Sequence, residues 1–185
     1  SIAAHVDGFD VASRKELQIA LETGITPNAI GFAGPGKSDL DLRAAIAAGC
    51  VIHAESVNEL TRIQNLNGNK NVAVALRVNP NFELKQAGMK MTGGPKAFGM
   101  DVDTVQRLLD DFEWKNIDLV GFHIYCGSQN LNVNALLDAQ RQTLSLVQPW
   151  LVHCKNRPYV NIGGGFGVPY FPHDKPLDEE QLAQG

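Results

Sequence analysis

A pattern that occurs three times within residues 8–68 constrains the fold more than any other feature of the sequence. Each copy has a short apolar run, a serine, an acidic residue three positions later, a segment of helical apolar periodicity and a closing glycine. The serine–acid pairs have capping-box spacing, and the glycines stand where helices stop: Ser13/Glu16, Ser38/Asp41, Ser56/Glu59, Gly24, Gly49 and Gly68. Ser38/Asp41 is the weakest match, because capping boxes prefer Glu or Gln. Each copy is predicted to be a strand, a turn and a helix.

The same alternation continues along the chain. Apolar runs at 72–80, 119–127 and 159–167 alternate with helical patterns, which gives six predicted strands. Strands that are apolar on both faces and alternate with helices predict an α/β fold with a parallel sheet. A closed (β/α)8 barrel needs eight strands and about 250 residues, so six units would leave it incomplete, whereas an open doubly wound sheet also fits. The glycine-rich stretch 81–100 is either a binding loop or lid, or a disordered excursion.

Composition excludes several classes of partner. The net charge of -4 and the pI near 5.7 do not indicate the basic surface that binds nucleic acid. No apolar stretch reaches the roughly 18 residues of a membrane span, and the first residues lack the basic and apolar regions of a signal peptide. Three widely spaced cysteines indicate reduced thiols in the cytoplasm and no zinc site. The chain starts without methionine, so a segment of a longer protein is expected.

Asp10 and Arg77 interrupt strands that are otherwise apolar. A buried charge needs a partner or a ligand, and in parallel α/β folds the functional edge lies at the carboxyl ends of the strands. Each residue is predicted either to form an internal ion pair or to contact a cofactor. His53 and Glu55 lie two positions apart, so their side chains would face the same way on a strand. A structural role is favoured for both.

Two later strands end in groups that suit an anion. His123 and Tyr125 lie two apart, so their side chains point the same way, and Ser128 follows in a turn. The next strand ends in three glycines: Gly163, Gly164 and Gly165. A hydroxyl and a backbone without side chains can bind a phosphate, with help from helix N-termini. If the two strands are neighbours, the turn with Ser128 and the three glycines would meet at one anion. A purely structural role in the core also fits His123.

Residues 31–38, GFAGPGKS, match the P-loop pattern G-x-x-x-x-G-K-[ST]. On that reading Lys37 contacts nucleotide phosphates; otherwise it is a solvated loop lysine beside a helix cap. The sequence has no good second strand of four apolar residues ending in Asp to hold magnesium, which argues against the P-loop.

Six motifs, taken together and in this order, resemble the fold type III pyridoxal-phosphate decarboxylases, the group that contains diaminopimelate, ornithine and arginine decarboxylases. The motifs are GFDVASRKEL, FAGPGKS, ALRVNP, AFGMD, GFHIYCGSQ and NIGGGFG. The segments GSQ and GGGFGVPY resemble the diaminopimelate branch. The resemblance implies an incomplete (β/α)8 TIM barrel of the alanine racemase-like, pyridoxal-phosphate-binding type. Residues 1–185 would supply strands two to seven, and the first and last strands and a C-terminal β domain would lie outside them.

The resemblance also implies roles for single residues. It places three glycines and a serine at the phosphate of pyridoxal 5'-phosphate: Gly163, Gly164, Gly165 and Ser128. Asp10 resembles the acid near the lysine that holds the cofactor, with Glu16 either a helper or only a helix cap. Arg77 resembles the arginine beneath the cofactor ring.

The sequence departs from the family pattern at several positions. Many members have two histidines before the Gly-Ser turn and stack the second on the cofactor; Tyr125 stands at that place here, and His123 matches the first. Ala97 stands where lysine is typical, with Lys96 displaced by one position, and Asn161 stands where aspartate is frequent. The lysine that holds the cofactor lies before the first strand in the family, so no catalytic residue is assigned within this chain.

The activity that the resemblance implies is decarboxylation of a basic or diamino acid by a homodimeric, pyridoxal-phosphate-dependent parent protein, with the segment alone inactive. In such enzymes the amino acid condenses with the cofactor aldehyde and loses its α-carboxylate as carbon dioxide. Two alternatives stay open. One is a non-catalytic interaction barrel related to the decarboxylases, and the other is nucleotide hydrolysis through Gly31–Ser38.

Overall fold

The computed structural model describes residues 2–82, 89–90, 97–155 and 157–185. The strands are β1 (Phe9–Val11), β2 (Ile30–Phe32), β3 (Val51–Ala54), β4 (Val72–Asn79), β5 (Met89–Lys90), β6 (Met100–Asp101), β7 (Ile117–Ile124), β8 (Gly127–Ser128) and β9 (Tyr159–Asn161). The α-helices are α1 (Arg14–Glu22), α2 (Asp39–Ala48), α3 (Val57–Leu66), α4 (Val102–Asp111), α5 (Val133–Val147) and α6 (Glu179–Gln184). Short 3₁₀ helices cover Ile2–Ala4, Pro27–Ala29 and Gln148–His153.

The main sheet has the order β1-β2-β3-β4-β7-β9, and every pairing along it is parallel. These six strands form a half-barrel, which confirms the predicted count and the predicted incomplete barrel of βα units. Three very short strands were not predicted, because two-residue strands carry no periodicity. Of these, β6 pairs with the end of β4, and β5 pairs antiparallel with β8. Most of the stretch 81–100, predicted as a lid or binding loop, lies outside the described residues.

The helix caps are where the serines predicted them. Ser13, Ser38 and Ser56 each accept a hydrogen bond from the backbone N–H three residues later. The ranking was wrong, however, because Ser38 with Asp41 is the pair that forms the full reciprocal capping box. The glycine after each of these helices has a positive φ, between 61° and 84°, as helix stops require.

The apolar core lies between the sheet and its helices. Its fully buried strand side chains include Ile30, Phe32, Ile52, Leu76 and Phe122, and its helix side chains include Leu42, Leu60, Ile63 and Val105. The opposite face of the sheet, toward the inside of the half-barrel, carries polar residues. The same fold therefore separates a hydrophobic outer layer from a polar interior.

Among the described residues, no helix is both long and apolar enough to cross a bilayer. Within the same ranges, no group of three or more His, Cys, Asp or Glu side chains is arranged to hold a metal ion.

Candidate functional site

The polar interior is assembled by the register of the parallel strands. Asp10 is paired with Gly31, and His53 is paired with Ala75. One layer nearer the carboxyl ends, His123 lies between Arg77 on one side and Asn161 on the other. Since alternate residues of a strand face the same way, the sheet gathers these polar groups on one surface.

The two loop tips predicted to share an anion lie side by side. The backbone N–H of Asn130 donates to the carbonyl of Gly165 at 2.9 Å, and the N–H of Gly167 donates to the carbonyl of Asn130 at 2.9 Å. A methyl group built on Gly165 would lie 2.2 Å from the Gly127 carbonyl oxygen. Gly165 also has φ +90°, so both space and conformation require glycine. The tip at 127–130 and the glycine loop at 163–167 thus form one surface.

That surface fits a phosphate group. Within the described part of the chain, the N–H groups of Gly164 and Gly165 and the hydroxyl of Ser128 have no hydrogen-bond partner. A methyl group built on Gly164 would meet no atom within 4 Å, so open space lies beside that glycine. Unpaired donors beside open space suit an anion. The predicted help from a helix N-terminus after the glycines was wrong. Irregular chain follows Gly165, and the next α-helix begins only at Glu179.

The ring of Tyr125 lies against the glycine loop. A methyl group on Gly163 would lie 2.7 Å from Tyr125 Cδ2, so the partly exposed ring packs against the glycine. His123 is deeper and only 5% exposed, with its ring centroid 4.6 Å from that of His53. Burial, reinforced by the charges of Arg77 and Lys37, lowers the pKa of His123 to about 3. It is therefore a neutral ring at neutral pH, and the position next to the loop falls to Tyr125.

Arg77 forms the internal ion pair that was one of its two predicted roles. Its Nη1 donates to Glu55 Oε1 at 2.7 Å, and its guanidinium carbon lies 4.9 Å from the centroid of the Phe98 ring. Glu55 also accepts the backbone N–H groups of Gly34 and Gly99, at 2.6 Å and 3.0 Å. The pair thus fixes the loop after β2 and the segment that enters β6, which confirms the structural role favoured for Glu55.

Asp10 is exposed and forms no ion pair among the described residues, so the premise of a buried charge was wrong for it. Its carboxylate accepts a hydrogen bond from Asn161 Nδ2 at 2.7 Å. Tyr159, on the same strand as Asn161, lies 3.3 Å from His53 Nε2 through its hydroxyl. Burial, and then the charge of Asp10, raise the pKa of Tyr159 to about 12. Tyr159 was not predicted and no role was predicted for Asn161, although their two-residue spacing before the glycines places both side chains on one face of the strand.

Both predictions for residues 31–38 are wrong: the segment does not bind a nucleotide through Lys37, and Lys37 is not a solvated loop residue. Lys37 is 5% exposed and its Nζ donates to Glu59 Oε1 at 3.0 Å and to the carbonyl oxygens of Gly34 and His53. Burial lowers the pKa of Lys37, and the Glu59 carboxylate opposes that effect. Because the ammonium is already enclosed by protein acceptors, it cannot reach a nucleotide phosphate.

Two further residues can be placed. Glu16 accepts the N–H of Ala12 at 2.6 Å, which is a capping contact, and Ala97 is exposed. Lys96 lies outside the described residues. The three cysteines are free thiols, and burial raises the pKa of each to about 11, so none is poised as a thiolate nucleophile.

Residues 2–185 match the family model described as the pyridoxal-dependent decarboxylase, pyridoxal binding domain. The chain is 38% identical over 180 residues to the L-glutamyl-[BtrI acyl-carrier protein] decarboxylase of Niallia circulans, with 92% of this chain and 41% of that protein covered. It is 32% identical over 184 residues to the diaminopimelate decarboxylase of Aquifex aeolicus, with 95% and 43% covered. The chain therefore spans less than half the length of these curated relatives.

Solved structures show the same fold. The diaminopimelate decarboxylase of Helicobacter pylori complexed with L-lysine matches with a TM-score of 0.83 at 25% identity, covering 99% of this chain and 48% of that one. A diaminopimelate decarboxylase of M. jannaschi matches with a TM-score of 0.81 at 27% identity, covering 96% and 42%.

Proposed function

The chain belongs to the pyridoxal-dependent decarboxylase family, and from that premise we propose that it forms the coenzyme-binding half-barrel of a pyridoxal-phosphate-dependent amino acid decarboxylase. The observation that carries the proposal is the contact between the tip at 127–130 and the glycine loop, where unpaired donors face open space. A phosphate ester satisfies such donors without displacing any existing bond.

We assign the proposed contacts as follows. Ser128, Gly164 and Gly165 donate to the phosphate, Gly163 lets the chain turn, and Tyr125 offers its ring face to the pyridine. Arg77, in register with His123 and with its charge balanced by Glu55, is proposed to lie beneath the coenzyme ring. When bound, pyridoxal phosphate supplies the electron sink for loss of the α-carboxylate.

The substrate is proposed to be a basic or diamino acid. The relative named for diaminopimelate supports this class. The relative named for a carrier-bound glutamyl group has a substrate outside it, so no individual amino acid is assigned. Because the relatives are more than twice as long as the matched part, the activity is proposed for this chain together with segments like theirs. The lysine that holds the coenzyme, a C-terminal β domain and a second subunit of a homodimer are assigned to the rest of that assembly. The free thiols fit a cytoplasmic setting.

The test compares two glycine variants of the complete protein, Gly164→Asp and Gly36→Asp. Neither glycine has a positive φ, and at neither does an added side-chain carbon meet an atom within 4 Å, so both variants should fold. Absorbance titrations with pyridoxal 5'-phosphate and with unphosphorylated pyridoxal measure how much the phosphate group contributes to the binding affinity. We expect Gly164→Asp to weaken binding of the phosphorylated form by at least about tenfold through charge repulsion, and Gly36→Asp to change nothing.

Equal affinity of the two variants for pyridoxal 5'-phosphate would contradict the phosphate site. A wild-type protein that stays colourless and takes up no coenzyme would instead favour the non-catalytic barrel. Borohydride reduction of the loaded wild-type protein should fix the coenzyme to a lysine, and mass spectrometry should find that lysine outside residues 1–185.

A further inference from the structure

The side-chain amide of Asn161 joins the two edge strands of the sheet to the glycine loop. Its Oδ1 accepts the backbone N–H of Gly163 at 2.9 Å. Its Nδ2 donates to Asp10 Oδ2 at 2.7 Å and to the hydroxyl oxygen of Tyr159 at 3.0 Å. One amide therefore connects an acid on β1, a phenol on β9 and the loop that follows β9.

The direction of each bond to the Asn161 amide is fixed by chemistry. A backbone N–H can only donate, so the Asn161 atom facing Gly163 must be the oxygen, and both amide hydrogens are left for Asp10 and Tyr159. Tyr159 accepts from Asn161, and its hydroxyl oxygen lies 3.3 Å from His53 Nε2. His53 is a neutral ring, because burial and the nearby His123, Lys37 and Arg77 lower its pKa well below the usual range.

The position of Asp10 depends on this amide. A methyl group on Gly31 would lie 2.5 Å from Asp10 Oδ1 and 2.7 Å from His53 Nε2, so glycine at β2 opens the space that both side chains face. Among the described residues, Asn161 is the one hydrogen-bond donor to the Asp10 carboxylate. The carboxylate is exposed and stands on a three-residue strand at the edge of the sheet.

We infer that Asn161, supported by Tyr159 and His53, is a positioning residue that holds a negatively charged Asp10 at a fixed place beside the glycine loop. The inference rests on the proposed function, since the loop is taken as the coenzyme phosphate site. In this chain an aspartate at position 161 would place two carboxylates 2.7 Å apart and would remove the donor to Tyr159. The site here therefore pairs a neutral donor on β9 with the negative charge on β1.

The experiment exchanges the two side chains in the complete protein, using Asn161→Asp, Asp10→Asn and the double variant with both changes. Asn58→Asp, on the exposed face of α3, adds the same charge away from the site as the matched control. Urea and thermal unfolding of the coenzyme-free protein measure coupling between positions 10 and 161. Absorbance titration measures the affinity for pyridoxal 5'-phosphate and the spectrum of the bound coenzyme.

We expect Asn161→Asp to lower the melting temperature by about 4 °C and the double variant to regain most of that loss. The double variant should still bind pyridoxal 5'-phosphate about tenfold more weakly than wild type, with a shifted spectrum, because its charge has moved from β1 to the strand that leads into the phosphate loop. The double variant would thus regain stability without regaining coenzyme affinity, which a purely structural role does not predict.

Two results would overturn the inference. One is additive stability effects of the single changes, which would mean that the two residues do not interact. The other is wild-type affinity and spectrum in the double variant. If the wild-type protein takes up no coenzyme, the proposed function fails, and the unfolding cycle alone still decides whether Asn161 holds Asp10.

Discussion

Arg77 Nη1 lies 2.7 Å from Glu55 Oε1 in an ion pair whose side chains are only 9% and 3% exposed. The same carboxylate holds two backbone N–H groups, those of Gly34 and Gly99. Gly99 must be glycine, because its φ is +73° and a methyl group there would lie 3.0 Å from the Arg77 carbonyl oxygen. One buried carboxylate therefore fixes the loops that follow β2 and precede β6.

Replacing Glu55 by Gln should destabilise the protein by about 3 to 5 kcal/mol, because the Arg77 charge is left buried without a counter-ion. Urea unfolding at neutral pH measures the change. Asp118→Asn is the matched control, since Asp118 pairs with Lys155 on the surface and its loss should change stability by less than about 1 kcal/mol. Equal effects of the two substitutions would show that the Glu55 pair is not a structural restraint.

Lys37→Met should destabilise the protein by about 3 kcal/mol, because it leaves Glu59, 3% exposed, without its cation. Adding Glu59→Gln should recover more than half of that loss, since the uncompensated charge disappears while the bond from the Glu55 N–H remains. Arg62→Met breaks the partly exposed pair with Asp39 and should change stability by less than about 1 kcal/mol. Unfolding titrations of the four proteins check these values, and ATP binding to Lys37 in wild type would contradict the buried pair.

Gly121→Ala should prevent β7 from pairing with β9. A methyl group at Gly121 would lie 1.6 Å from the carbonyl oxygen of Tyr159, which is backbone and cannot turn aside. We expect a loss above about 4 kcal/mol or no cooperative unfolding at all. Circular dichroism melts measure this, with Gly36→Ala, where a methyl group meets nothing within 4 Å, as the control within about 0.5 kcal/mol of wild type.

Stability should fall in acid because His123 is held neutral. Its pKa is lowered from 6.5 to about 3 in the folded state, so between these values the unfolded chain binds a proton that the folded chain excludes. The contribution of His123 is therefore fully present above pH 6.5 and is lost as pH falls toward 3, by roughly 1 kcal/mol for each pH unit. Urea unfolding at pH 7.5, 6.5 and 5.5 measures the slope.

His123→Asn should make this pH dependence less steep, since asparagine does not titrate, while the lowered pKa of buried His53 leaves part of the slope. His153→Asn, at an exposed position, should leave the slope unchanged. A slope in His123→Asn as steep as that in wild type would assign the effect to other groups, of which buried His53 is the first candidate.

The βα units were predictable because their signals are local. Ser38, Asp41 and Gly49 lie within one helix length, and capping chemistry places such residues at helix ends regardless of the remaining fold. The meeting of Ser128 with the glycine loop was also predictable, since tips of neighbouring parallel strands share an edge.

Contacts between distant segments were harder to foresee. Lys37 carries a literal nucleotide-binding motif, yet it reaches Glu59, 22 positions further along the chain. Asn161 acts through Asp10, 151 positions away, and an amide at a strand end has no pattern that names its partner. The polar network could not be read from periodicity, because it depends on curvature that brings β1 and β9 within reach of each other.

The strand order has a consequence for how the molecule assembles. In the order β1-β2-β3-β4-β7-β9, each strand pairs with the one before it. Each βα unit can therefore dock on the unit synthesised before it, and each step closes only a short loop of chain. The bond from Asn161 to Asp10 is different, because it joins residues 151 positions apart and can close only after β9 has docked. Coenzyme uptake, if it needs that bond, would have to wait for β9.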